Sequence, residues 1–285
     1  MGPNRREIAM GKFIKNRRAI FGLALWLAAV SCAGRAAGQS DYTTIEVGEG
    51  GTISGTVRWA GPIPKIPRLP ITKNAEVCSP DGEKTRDLER LVIGADGGVA
   101  NTVVYLKNIS QGKAMDLPEA RQHMDQKTCR YIPHILLVAQ GANLQVKSSD
   151  PVLHTVHMTG AASNNIPFPF QNQYIPITMW RSGVVELKCN AGHVWMNAEV
   201  LVVKHPYYAV TDNHGFFKLT DVPPGEYEIE AWHEGWRIAS EQKVLDVGSQ
   251  VEVSRLVYSE PMTWAKKVVV RKGQTSDVPF SISEN

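Results

Sequence analysis

The stretch VVELKCNAGHVWMNAEVLVVKH, Val184 to His205, decides how this chain is read. Its first run alternates: Val185, Leu187 and Cys189 share one face, and Val184, Glu186 and Lys188 share the other. That is the period of a half-buried strand. A second strand-like run, EVLVVKH, closes the stretch. Between the two, CNAGHVWM groups Cys189, His193 and Met196. Thiolate, imidazole and thioether are the side chains that bind soft and borderline metals. Cys189 falls on the inward apolar face, which suits a ligand kept from solvent. A chance cluster and a disulfide through Cys189 are the competing readings.

An upstream segment supplies a second imidazole. In DPVLHTVHM, Asp150 to Met158, His154 alternates with Val152, Val156 and Met158, all apolar. His157 alternates with Leu153 and Thr155 and faces the other way. Two residues three apart on a strand cannot share a face, so His154 is the expected ligand and His157 the alternative. Two imidazoles and a thiolate in a near-plane, with a weak axial thioether, form the donor set of mononuclear copper electron-transfer sites. His154, Cys189, His193 and Met196 provide it in chain order. His134, His205, His214 and His233 read as packed or structural, and Met124 and Met158 as core.

YIPHILLVAQGANLQVKSSDPVLHTVH, Tyr131 to His157, with CNAGHVWM, resembles the cupredoxins over roughly residues 120–204. The whole chain looks like bacterial exported cupredoxin-like, methylamine-utilisation-like proteins that carry a carboxypeptidase regulatory-like module. The resemblance implies one type 1 copper at His154, Cys189, His193 and Met196. It also implies electron transfer with a redox protein of the cell envelope. His193 would be the solvent-near imidazole, ringed by Pro167, Phe168, Pro169, Val194 and Trp195 as a docking patch. Thr155 stands where many cupredoxins have an Asn that ties the ligand loops, and the gap between Cys189 and His193 is one residue longer than in close relatives. Val185 occupies the position of the second cysteine of binuclear centres, so a mononuclear site is expected.

The second informative block is YYAVTDNHGFFKLTDVPPGEYEIEAWHEGW, Tyr207 to Trp236. Turns at Asp212–Gly215 and Pro223–Gly225 flank alternating strands. It resembles the carboxypeptidase regulatory-like, carbohydrate-binding-like sandwich. That family begins with strands like GTISGTVRW and VANTVVYLKN, and here both precede the copper block. The expected organisation is therefore a signal peptide over 1–38, a first part of the regulatory-like sandwich over 50–117, a cupredoxin domain over 118–205, and the second part of the sandwich with C-terminal strands over 206–285. The cupredoxin barrel or sandwich is inserted in the other sandwich, or lies adjacent to it in tandem. The fold class is all-β: short alternating runs dominate, and no long helical period competes. Arg68–Arg90 and Ser163–Trp180 read as irregular. The block from Lys243 onward reads as edge strands without chemistry. Trp232 and Trp236 read as buried, with stacking on a sugar as the alternative.

The N-terminus carries Arg5, Arg6, Lys12, Lys15, Arg17 and Arg18 before the apolar run Phe21–Val30 and then small residues. This is the pattern of an export signal, with cleavage after Ala33 or near Gly38. The box AVSC would leave Cys32 lipidated, the only membrane attachment expected, and NRRAIF resembles a twin-arginine signal. The net charge of the full chain is +3. Residues before Gln39 hold seven basic and one acidic side chain, so the remainder is 3 − 6 = −3. A mildly acidic exported protein is not a nucleic-acid binder. Cys78, Cys129 and Cys189 remain in the exported part, an odd number for an oxidising compartment. With Cys189 on a metal, Cys78 and Cys129 are left as the bridge. No nucleophile–base pair with motif context appears, so the expectation is a copper carrier and not an enzyme. A copper-handling protein without electron transfer and a carbohydrate- or protein-binding envelope module are the alternatives.

Overall fold

The computed structural model describes residues 42–284. The export signal, its cleavage sites and Cys32 lie outside the described residues. The all-β expectation holds: among the described residues strands carry nearly every regular element, and the helical content is one turn at Ala75–Cys78 and a 3-10 turn at Glu119–Arg121.

The ligand-bearing strands form two sheets around one core. One sheet has the order Asn164–Phe168, His154–Gly160, Gly183–Lys188, Asn197–Val203, Ile135–Ala139. The other runs Gln173–Thr178, Asn143–Ser148, His123–Lys127, Arg130–Ile132. Met124, Tyr131, Leu144, Val146, Val156, Met158, Val185, Leu187 and Trp195 fill the space they share. The period-2 patterns explain the placement. His154, Val156 and Met158 are buried while His157 is half-buried on the opposite face. Each large side chain fully removed from water contributes roughly 1.5–3 kcal/mol.

Ser163–Trp180, expected to be irregular, instead forms the strands Asn164–Phe168 and Gln173–Thr178. Both lie at sheet edges. Pro167 and Pro176 are tolerated there because an edge strand can leave one side of its backbone unpaired.

A second pair of sheets is built from both ends of the chain. Gly51–Trp59 pairs with Phe216–Val222, Thr275–Asp277 and Phe280–Ile282. Val103–Lys107 pairs with Tyr208–Val210 and Gly225–His233, and Met262–Val270 closes that sheet. Their core contains Ile53, Val57, Leu106, Phe217, Ile229, Val268 and Phe280. A smaller cluster of Val103, Ile135, Leu201, Val203 and Trp232 joins the two cores. Trp232 and Trp236 are both buried.

One hairpin belongs to neither pair of sheets. Ile238–Asp246 pairs only with Val251–Tyr258. It packs against the segment after Cys189, where the Val247 N–H donates to the Asn190 carbonyl at 2.8 Å. The C-terminal block is therefore more than edge strands: it delivers Asp246 and Arg255 beside the ligand loop.

Candidate metal centre

The structure brings His154, Cys189 and His193 together. Cys189 follows the end of Gly183–Lys188, His154 opens the neighbouring strand, and His193 lies on the turn between Lys188 and Asn197. All three side chains are fully buried. The Cys189 Sγ is 3.9 Å from His154 Nδ1 and 3.7 Å from His193 Nδ1. The imidazole centroids are 4.7 Å apart with planes at 60°. One donor atom from each residue lies within 4.8 Å of the others.

Bonds of about 2.3 Å to sulfur and about 2.05 Å to nitrogen, opened to about 120°, separate the two donors by about 3.8 Å. The observed sulfur–nitrogen spacings match that value, so the donor set fits a metal ion without rearrangement. Met196 is buried in the same core, and its N–H closes the turn onto the His193 carbonyl at 2.9 Å. His157, the alternative ligand, points away towards Arg255 and Lys188, and burial with those two charges lowers its pKa.

Each ligand is held from behind. Nε2 of His154 bonds the Asp150 carboxylate at 2.9 Å. That carboxylate also accepts the N–H groups of Thr128 and Cys129, both at 2.8 Å. Nε2 of His193 bonds the Asn74 side-chain oxygen at 3.1 Å. Both rings thus turn Nδ1 to the sulfur and use Nε2 as the anchor, the arrangement that fixes tautomer and orientation in metal sites. Thr155 ties the two loops. Its N–H points at the Cys189 sulfur at 3.4 Å, and its hydroxyl accepts the Asn190 N–H at 2.6 Å. Arg255 donates to the Cys189 carbonyl and, at 3.0 Å, to the Asn190 side chain.

The electrostatics couple Cys189, His154 and Asp150. Burial pushes the Cys189 thiol up, but hydrogen bonds and charge from His154 and His193 outweigh it and hold the pKa well below the ordinary thiol value. Burial opposes the charge on His154, yet Asp150 and Cys189 together raise its pKa to about 9. Burial likewise raises Asp150, and His154 with the two N–H donors brings it below the usual carboxylate value.

Cys78 and Cys129 form a disulfide, and Cys189 is the free cysteine among the described residues. The disulfide is part of the same wall: one donor atom each of Cys78, Cys129 and His193 also lies within 4.8 Å of the others. Trp195 completes it, with its ring edge-on to His193 at 5.4 Å and its indole N–H on the Cys129 carbonyl at 3.1 Å.

The expected docking patch is not formed. Phe168 and Trp195 are core residues, Val194 is half-buried, and only Pro167 and Pro169 of the five are exposed. His193 is not near solvent, because the segment around Asn74 covers its outer edge. The supporting residues Asn74, Asp246 and Arg255 carry no signal in the sequence, since each lies in another part of the chain. Asp150 could have been found from its place four residues before His154.

A family model described as the second beta sandwich domain of the BOS complex subunit NOMO1-like matches residues 203–256. No curated protein matches the chain. Among solved structures, a reduced amicyanin variant is 21% identical over 31% of this chain and 87% of its own, with a TM-score of 0.28. A purple cupredoxin from Nitrosopumilus maritimus is 17% identical over 28% of this chain and 98% of its own, with a TM-score of 0.25. A copper-containing nitrite reductase from Thermus scotoductus is 14% identical over 35% of this chain and 25% of its own, with a TM-score of 0.27. Likeness at this level says nothing about what this chain binds. Among the described residues, no helix is long and apolar enough to cross a membrane.

Proposed function

We propose that the chain is an exported protein that holds one copper ion at His154, Cys189 and His193, with Met196 beside them, and passes single electrons between redox proteins of the cell envelope. The observation that carries this reading is the buried cluster itself: one thiolate faced by two imidazole Nδ1 atoms at ligand spacing, with both Nε2 atoms tied down. Copper bound there would supply a one-electron couple between its cupric and cuprous states. Thiolate suits the cuprous state, and imidazole suits both.

The protein's part is rigidity and exclusion. Asp150 and Asn74 stop the imidazoles from rotating, and Thr155 holds the loop of Cys189 against the strand of His154. The surrounding core keeps water from the donors, so the geometry changes little when the charge of the centre changes. No group of the chain has to move a proton or attack a substrate, so the reading is of a carrier and not an enzyme. The second pair of sheets is read as a scaffold, since the hairpin with Asp246 and Arg255 springs from between its strands Gly225–His233 and Met262–Val270.

Closure of the site favours retention of the metal and hence a carrier over a protein that hands copper on. An optically monitored redox titration of the copper-loaded mature protein tests this. A carrier gives a reversible one-electron transition through repeated cycles, with copper retained. Loss of copper on reduction, or no reversible transition, would assign the protein to copper handling.

A further inference from the structure

The edge of His193 that would face solvent is covered by a piece of chain from far away in sequence. Asn74 lies 119 residues from His193 and meets its Nε2 at 3.1 Å. Four attachments hold that piece in place. Lys73 pairs with Asp246 at 2.6 Å. Leu69, Ile71 and Val77 pack on the ligand-side core. Cys78 is bonded to Cys129. Arg86 donates to the Cys78 carbonyl. Asn74 itself has φ +50°, in the left-handed region. Asn accepts that conformation more readily than most residues, and it leaves the side-chain amide free to turn inward.

The arrangement combines firm ends with a weak centre. Firm ends are the disulfide and the apolar anchors. The contact that closes the site is a single neutral side-chain hydrogen bond, and the neighbouring Lys73 is part-exposed, with 31% of its side chain accessible. Among the described residues, no other hydrogen bond runs from this segment to the His193 ring, although the Cys78 sulfur lies within 4.8 Å of it.

We propose that Lys73–Cys78 is a strap over the metal centre, with Asn74 as the positioning residue that fixes the His193 ring, and that release of the strap is what admits metal or solvent. The proposal rests on reading His154, Cys189 and His193 as the metal centre. It predicts that access to Cys189 is limited by opening of the strap and not by the surrounding sandwich.

Two variants test it with the whole mature protein. Asn74→Gly removes the amide and keeps a residue suited to φ +50°. Asn74→Asp keeps an acceptor at the same place. Three quantities are read: the rate at which iodoacetamide alkylates Cys189 in the metal-free protein, the NMR signal of the His193 Nε2 proton, and the rate at which the copper-loaded protein surrenders cuprous ion to an excess of bicinchoninate. Because Cys78 and Cys129 are bonded, alkylation of a chain that begins at Gln39 reports Cys189 alone.

Loss of one such bond is expected to speed alkylation and copper release about tenfold in Asn74→Gly. The Nε2 proton should then be lost to exchange with water, and Asn74→Asp should restore all three readings towards the parent protein. Rates in Asn74→Gly equal to the parent, with the proton still protected, would overturn the strap. If the protein binds no copper, the alkylation and NMR readings still decide the strap. If copper binds through Cys189 while Asn74→Gly changes nothing, the strap is wrong and the metal centre stands.

Discussion

At the scale of single residues, the centre is a set of donors whose second nitrogen or nearest backbone is already spoken for. Asp150 shows why that matters. It orients His154 and is itself oriented by two backbone N–H groups. Asp150→Asn keeps the size but removes the charge that stabilises the His154 N–H, and outer partners of this kind are worth about 10–100-fold in metal affinity. Competition against a chelator of known affinity should show a loss in that range, and an unchanged affinity would mean that Asp150 does not orient the ligand. The choice between His154 and His157 was legible because strand period alone separates the two faces. Cys189 and His193 were legible because they stand four residues apart in one turn. Thr155 was noticed as a departure from the cupredoxin pattern. The structure shows it tying the loops all the same, through its backbone N–H and its hydroxyl.

At the scale of elements, the centre depends on pieces that meet from distant parts of the chain. The disulfide spans 51 residues and joins the covering segment to the ligand-side sandwich. Closing a loop of that length in the unfolded chain contributes about 4 kcal/mol by the chain-entropy estimate. Replacing Cys78 and Cys129 together by Ala should lower the urea midpoint by a corresponding amount, and a loss under about 1 kcal/mol would show that the covering segment is held by its other contacts.

Gly192 tests the hairpin in the same way. Its φ is +82°, and a Cβ there would stand 2.6 Å from a carboxylate oxygen of Asp246. Gly192→Ala should therefore cost about 1–3 kcal/mol from the backbone alone, with the displaced Asp246 adding to it. Equilibrium unfolding measures the cost, and a neutral effect would place the hairpin off the ligand loop. These elements were not legible. Asn74 and Arg255 reach the site over sequence separations of 119 and 66 residues. Strand period predicts which face a residue takes but not which distant segment covers that face. The irregular reading of Ser163–Trp180 failed for a related reason, since Pro and Asn mark loops and edge strands alike.

At the scale of the whole molecule, two cores share one junction, and His205 sits in it. The ring is buried among Tyr42, Tyr207 and Tyr208. Burial lowers its pKa to about 4, only partly opposed by a backbone hydrogen bond. The sign follows from linkage. Above about pH 6.5 the ring is neutral in both folded and unfolded chains, and its stabilising effect is complete. As pH falls from there towards 4, the unfolded chain takes up the proton first and stability declines. Between pH 7 and pH 5 the loss from this residue is about 2 kcal/mol. His205→Gln should remove that part of the pH dependence of the urea midpoint, and an unchanged slope would show that His205 is not kept neutral by the fold.

The all-β class followed from alternation and turn residues, which act locally. The central claim concerns the three buried donors in the intact mature protein. Titration of that protein with cupric ion, followed by visible absorption beside Cys189→Ser, tests it most directly. The account predicts an intense thiolate-to-copper band that saturates at one ion per chain and is absent from the variant. No band, or a band of equal strength in Cys189→Ser, would contradict it.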